Sequence, residues 1–420
     1  MTAVSLGRDD AHCWAMTTQP TQPKLVLRSA VDVAASVPYL LGFAPDDSVA
    51  LVFFDADCRH VLTARIDWPS EVAGLDGCLD LVIDTCRNAA ENGADQAQLV
   101  LYPPASVPAV HVSDFANIFD QALLGAGVAP ISIGSVVDGY WKDLGDPSAA
   151  RARLDSIGAS AACQWVANGV SYLPDRDSVV ERIDGRPTPV LLRLDALLDQ
   201  DDVGQFVPEM SRAKDRRALE EAIYGHLFPT RLARDVDAPT SPIGLPDDSL
   251  ILRWALALAD RRIREPLLWR FAQMYGDRAP DTDRALNDAL SGLCLLVRNT
   301  PNELVAAIAS CSAALAWQQG NGALAQIAAE RGLKAARGSG SGNGNGNGNG
   351  SASGSGSASG SSRRNVLCDL VFKAVEQGVH PSIWVEMLNS MTLQELRSGQ
   401  SRQGTDPITS DTKFVRDCPG

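Results

Sequence analysis

Apolar runs of strand length alternate with amphipathic stretches of helix length as far as Arg186, and from Pro187 onward the strand-length runs stop. That switch constrains the fold more than any single motif. Strands alternating with helices imply a mixed sheet with helices packed on it. A stretch with helical periodicity alone implies a helical domain. We therefore expect an α/β N-terminal domain over residues 24–186, followed by an all-α helical C-terminal domain.

The individual elements follow from local chemistry. Ser29 is placed to cap a short helix over Ser29–Val37, with Asp32 in its first turn. The segment Pro38 to Ser48 carries turn formers at both ends and reads as a loop. Val49 to Phe54 is a continuous apolar run, hence a buried strand, and Val61 to Ile66 alternates as the second half of a hairpin. Glu71 to Asn92 and Ser113 to Leu124 read as helices, and Gln98 to Tyr102 and Pro130 to Val137 as strands. Asp138-Gly139 is a hairpin turn signal leading into Tyr140-Trp141. Beyond Pro187, helices are expected at 190–198, 211–224, 250–264, 266–275, 281–297, 302–318, 323–336, 364–377 and 381–388.

Three segments have no core-forming pattern. Residues 1–23, rich in Thr, Gln and Pro, read as a disordered leader, and residues 400–420 as a disordered tail. Between Gly338 and Ser362 the chain is almost wholly Gly, Ser and Asn, with a strict Gly-Asn alternation over Gly342 to Gly350. Such a segment has nothing to bury and behaves as a flexible coil spanning about 25–30 Å. Amphipathic helices lie on both sides of it. We read it as an extended loop inside one helical domain, comprising residues 187–337 and 363–399.

Composition excludes several functions. A hydrophobic share of 45% over 420 residues is that of a globular protein with two cores. A net charge of −14 disfavours nucleic acid as a partner. No stretch approaches the roughly eighteen apolar residues of a membrane span, and no signal-peptide pattern opens the chain. Nine scattered cysteines, none in a C-x-x-C pair, fit free thiols in a reducing compartment, so a cytoplasmic location is expected.

Five segments carry a family resemblance in order. They are Pro38 to Ser48 with the strand after it, Val137-Asp138-Gly139-Tyr140-Trp141, Arg261 to Trp269, Ala314 through Ala325, and Leu367 to Trp384 with its Gly378-Val379-His380-Pro381 turn. Together they resemble an actinobacterial domain-of-unknown-function family, DUF4192-like, over nearly the whole chain. Relatives follow the second segment with a Cys/Pro-rich stretch, whereas Lys142 to Ala150 contains no cysteine. The resemblance implies domain boundaries and a bacterial cytosolic setting, and no activity.

No catalytic or metal motif is complete: there is no His-Glu-x-x-His, Gly-x-Ser-x-Gly, Walker A or dinucleotide fingerprint. No cofactor and no metal is expected. The most suggestive polar cluster is Asp46-Asp47-Ser48, which either holds a polar ligand or simply makes a turn. Tyr39, Asp46, Asp47, Ser48 and Asp138 are the candidate ligand-binding residues, since α/β sheets place ligands at strand ends. Asp201-Asp202 and Asp247-Asp248 read as solvated loop carboxylates. Arg253, Arg261, Arg262, Arg264 and Arg270, with Arg363-Arg364, form a basic cluster that reads as a solvated face with local partners. Trp254, Trp269 and Trp317 read as core. Trp317 to Ala325 has the spacing of one tetratricopeptide-type hairpin, without a second copy.

Two functions lead from these residues, with nucleic-acid binding through the arginine cluster the least favoured third. One is a non-enzymatic interaction or regulatory protein whose helical domain docks a protein partner. The other is an enzyme or small-ligand-binding protein with its site near Asp46–Ser48. The residues do not decide whether the chain is an enzyme.

Overall fold

A computed structural model of the chain describes residues 14–16, 25–69, 75–146, 148–154, 159–167, 170–198, 206–229, 244–276, 280–338 and 365–399. The Gly/Ser/Asn insert expected after Gly338, the tail expected over 400–420, Asp201-Asp202 and Arg363-Arg364 lie outside these residues. The described chain has an N-terminal mixed sheet with packed helices and a helical C-terminal part. It divides into two compact units, Met1–Val179 with Gln377–His380, and Val180–Glu376 with Pro381–Gly420.

In the first unit, strands β1 (Trp14–Met16) and β2 (Leu25–Leu27) pair antiparallel. The leader expected over residues 1–23 therefore contains a paired strand, because Trp14-Ala15-Met16 is an apolar triplet with a partner to pair with. The rest of that leader lies outside the described residues. Helix α1 (Ala30–Leu41) starts as expected: Ser29 Oγ accepts from the Asp32 backbone N–H, and the Asp32 carboxylate accepts in return from Ser29 Oγ and the Arg28 N–H. Its end differs. The helix runs through Pro38 and stops at Gly42, which takes φ +83° and donates to Pro38 O. Pro38 removes one backbone donor, yet the apolar face through Leu41 stays buried and the left-handed glycine supplies the terminus.

A six-stranded sheet follows, in the order β4-β3-β5-β6-β7-β8. Its strands are β3 (Ser48–Phe54), β4 (His60–Asp67), β5 (Gln96–Tyr102), β6 (Ala129–Val137), β7 (Tyr140–Asp143) and β8 (Ala152–Arg153). Only β5 and β6 run parallel, joined through helix α3 (Ala109–Gly125); β3 is antiparallel to both β4 and β5. Helix α2 (Leu75–Glu91) and α3 cover one face, where Val49, Leu51, Phe53, Leu99 and Leu101 pack with Val82, Cys86 and Phe119. The β6–β7 turn is built by Asp138 at φ +51° and Gly139 at φ +76°, the left-handed pair that a tight hairpin requires. It folds Trp141 back across Gly134, where a Cβ would lie 2.3 Å from the indole. Helix α4 (Ala159–Ala167) packs on α1.

The sequence reading left three helices unassigned: α4, the short helix over Leu393–Ser398, and α5 (Arg176–Asp184), which crosses the division between the units. In the second unit follow α6 (Pro189–Leu198), α7 (Ala213–Leu227), α8 (Asp248–Ala259) and α9 (Arg261–Gly276). Then come α10 (Pro280–Asn299), α11 (Val305–Gln318), α12 (Gly322–Gly338), α13 (Val366–Glu376), α14 (Pro381–Asn389) and α15 (Leu393–Ser398). One boundary moved. The break expected before Pro266 falls at Asp260, whose extended backbone ends α8 while its carboxylate and carbonyl accept the first donors of α9. Pro266 sits inside α9. Helix α11 is buried on every side and forms a hairpin with α12 through Gly320 at φ +77°. Gly332 lets α12 approach α13, since a Cβ there would meet Cys368 Sγ at 2.5 Å.

Candidate functional site

Register assigns each strand residue to a face. With Val49, Leu51, Phe53, Leu99 and Leu101 on the α2–α3 side, alternation puts Ser48, Ala50, Val52, Gln98, Val100 and Tyr102 on the other. Helix α1 covers that second face, because Gln98 Nε2 donates to Ala30 O at 2.7 Å. Cross-strand partners complete it: Ser48 lies between Asp67 and Tyr102, Ala50 between Arg65 and Val100, Val52 between Thr63 and Gln98. Gln98 in turn lies beside Ser132, and Val100 beside Gly134.

The α1 face thus mixes polar side chains with Ala50, Val52 and Val100, where the α2–α3 face is apolar. Five of its side-chain atoms are buried without a hydrogen-bond partner among the described residues: Ser48 Oγ, Arg65 Nε, Gln98 Oε1, Tyr102 Oη and Ser132 Oγ. Burying a hydroxyl or amide unpaired costs about 1–3 kcal/mol each. Native proteins rarely leave such groups unmatched.

Three of the five gather at one end of the sheet. Ser48 and Tyr102 are direct cross-strand partners, 0% and 8% exposed, and Arg65 is the diagonal neighbour of Ser48. This is the carboxyl end of the parallel pair β5–β6, where open α/β sheets hold ligands. The Arg65 guanidinium is largely committed: Nη1 pairs with the Asp67 carboxylate, Nη2 donates to Asp46 O at 3.2 Å, and the group lies 5.8 Å from the Phe43 ring centre. Only Nε remains. Burial pushes the Tyr102 phenol above its ordinary pKa, so it stays protonated. The group therefore offers hydrogen bonds. Among the described residues Ser48 Oγ has no hydrogen-bonded base that would make it a nucleophile.

The expected site residues are placed as follows. Asp46 and Asp47 are exposed on the turn entering β3, Asp47 at φ +36° with its carbonyl accepting from Trp68 N. They shape the turn and lend Arg65 a carbonyl. Ser48 alone of that trio points into the protein. Tyr39 faces elsewhere: its ring stacks on Trp165 at 5.8 Å and meets the edge of Tyr172 at 4.8 Å. Burial and the neighbouring Tyr172 and Cys163 raise its pKa. Asp138 is exposed at the β6–β7 turn, and no described contact joins it to Ser48. The members of the group that sequence reasoning missed are Arg65 and Tyr102. Their signal was the alternation that puts Gln96, Gln98 and Tyr102 on one face of β5 and Thr63, Arg65 and Asp67 on one face of β4, interrupted by Val100 and Val61.

The charged clusters of the helical unit are paired internally. Arg262 pairs with Asp260 at 2.7 Å, Arg261 donates to Gly399 O, and Arg264 to Leu258 O. Arg270 pairs with Glu220 at 3.0 Å and with Glu221, and Arg397 is bidentate to Glu220. Asp247 caps α8, and Asp248 binds Arg193 at 2.7 Å. Trp254 and Trp317 are buried, and Trp269 Nε1 donates to Met391 O. Among the described residues no three His, Cys, Asp or Glu side chains come together to hold a metal, and no helix is long and apolar enough to cross a membrane.

A family model, Domain of unknown function (DUF4192), matches residues 31–338, well over half of the chain. No curated protein and no solved structure matches.

Proposed function

We propose that this chain, which belongs to the DUF4192 family of domains of unknown function, is a non-enzymatic binding protein that holds a small uncharged ligand at the strand end beside Ser48. The observation that carries this reading is the adjacency of three buried polar groups, Ser48 Oγ, Tyr102 Oη and Arg65 Nε, with no protein partner among the described residues. The ligand's charge follows from Arg65. An anion is recognised by a guanidinium whose charge is still unpaired, and here the Asp67 carboxylate already pairs with Nη1 while Nη2 donates to Asp46 O. One donor from Nε and two hydroxyls suit a carbonyl or hydroxyl compound. The seven cysteines among the described residues are free, which supports a reducing, cytoplasmic setting.

The test uses acetamide and acetate, which differ in charge at nearly constant shape. In a ¹⁵N–¹H spectrum, acetamide shifts the Arg65 Nε–Hε resonance of the wild-type protein and acetate does not. Asp67→Asn frees the guanidinium and reverses the preference. The proposal fails if the Ser48→Ala/Tyr102→Phe protein responds to acetamide as the wild type does.

A second reading, a helical unit that docks a protein partner, draws support from α6. Of its apolar residues only Leu194 is buried, and Leu192 is 58% exposed. Leu192→Asp abolishes capture of a partner in that case and leaves the acetamide response intact.

A further inference from the structure

The helical unit contains an anomaly of its own. Gln318, the last residue of α11, is 1% exposed, and neither its Oε1 nor its Nε2 has a hydrogen-bond partner among the described residues. A carboxamide is one of the costlier groups to bury unpaired, since it carries an acceptor and two N–H donors at once. Helix α14 packs on α11. It brings Trp384, also 1% exposed, whose Nε1 is buried without a partner too. The Trp317 and Trp384 rings meet at 6.3 Å, tilted by 46°. Two packed helices thus carry three unmatched polar atoms, and an indole of one meets an indole of the other.

The chemistry of these atoms specifies their complement. The Gln318 amide presents an acceptor and a donor side by side in one plane, and what pairs with it is the same couple reversed, a carbonyl next to an N–H. The Trp384 indole can only donate, so it asks for a further acceptor. Neither group is charged, and an ion buried against them would lose its hydration without a counter-charge. We infer that the helical unit holds a site at Gln318 for a small neutral molecule with an amide or imide edge, seated against Trp317 and Trp384. This site stands independently of the one beside Ser48, which lies in the other unit.

Succinimide, which carries carbonyl, N–H and carbonyl along one edge, is the probe, with N-methylsuccinimide and acetate as controls. Added to the full chain well above its Kd, succinimide raises the melting midpoint by about 3 °C, and neither control does. Gln318→Met, which keeps the volume and removes the amide, loses the response. Trp384→Phe, which keeps an aromatic ring and removes the donor, weakens it. The Ser48→Ala/Tyr102→Phe protein retains it, which separates this site from the first. Equal shifts from succinimide and its N-methyl derivative, or an unchanged response in Gln318→Met, would overturn the inference. So would a high-resolution crystal structure soaked in succinimide that shows only water on both ends of the amide.

Discussion

His60 makes the stability of the first unit depend on pH in a window where few other groups titrate. The imidazole is packed at the start of β4, with Nε2 at 2.7 Å from Thr63 Oγ1 and its ring against Phe54. Burial, assisted by the nearby His380, lowers its pKa from 6.5 to about 4. The unfolded chain takes up the proton from about pH 6.5 downward, whereas the folded one resists it until about 4. Stability is therefore complete above 6.5 and declines as the pH falls from 6.5 to 4. A gap of roughly 2.5 pH units at about 1.4 kcal/mol each sets a ceiling near 3.5 kcal/mol, of which about 2 kcal/mol is reached by pH 5. The ring keeps part of its surface in water, so we expect about half, on the order of 1 kcal/mol. Urea denaturation at about pH 8 and pH 5 measures it, comparing the wild type with His60→Gln. The wild type loses about 1 kcal/mol more than the variant. His226, also lowered by burial, contributes equally to both and cancels. An equal loss in both proteins, or an NMR titration of His60 centred near 6.5, refutes the reasoning.

Three further outcomes follow from packing. Gly134→Ala forces a methyl into the Trp141 indole and within 2.6 Å of Lys142 O; it lowers stability by about 2–3 kcal/mol, read as a fall in the melting midpoint. Glu220→Ala leaves Arg270 and Arg397 facing a buried site without its carboxylate, and costs the helical unit about 3 kcal/mol in chemical denaturation. Among the described cysteines, iodoacetamide at neutral pH modifies the exposed Cys163 first. Cys86, Cys311 and Cys368, buried with thiols pushed up to about 12, react only on unfolding, as peptide mass mapping over time will show.

The elements that were legible in the sequence are those whose local chemistry and tertiary environment agree. Ser29 caps α1 as its spacing with Asp32 announces, and Asp138-Gly139 turns the β6–β7 hairpin. Where the two disagree, burial prevails. Pro38 and Pro266 read as helix boundaries, yet each sits inside a helix. Gly42 and Asp260 end those segments instead, because they satisfy the backbone groups that a proline only fails to extend. The last helix was missed although its capping box, Thr392 with Glu395, is written in the chain; six residues are too few for periodicity to register.

The strand-end group was less legible, for a reason set by pairing. Ser48 stood out because it adjoins a loop rich in turn formers. Arg65 and Tyr102 lie on other strands, and only the register of β3 against β4 and β5 makes them its neighbours. Even the alternation of polar residues along β5 says only that two faces differ. Solvent exposure of the polar face would produce the same pattern. What turns Tyr102 from a surface tyrosine into a buried donor is α1 lying over that face, held there by Gln98 on Ala30 O. The same dependence explains Asp46 and Asp47, whose composition resembles a ligand loop while their geometry serves the turn and Arg65. A residue's capacity to bind is thus fixed here less by its own type than by which helix covers it. Substitutions in α1 that loosen its seat, such as Val33→Ala, should weaken the acetamide response without touching Ser48, Tyr102 or Arg65.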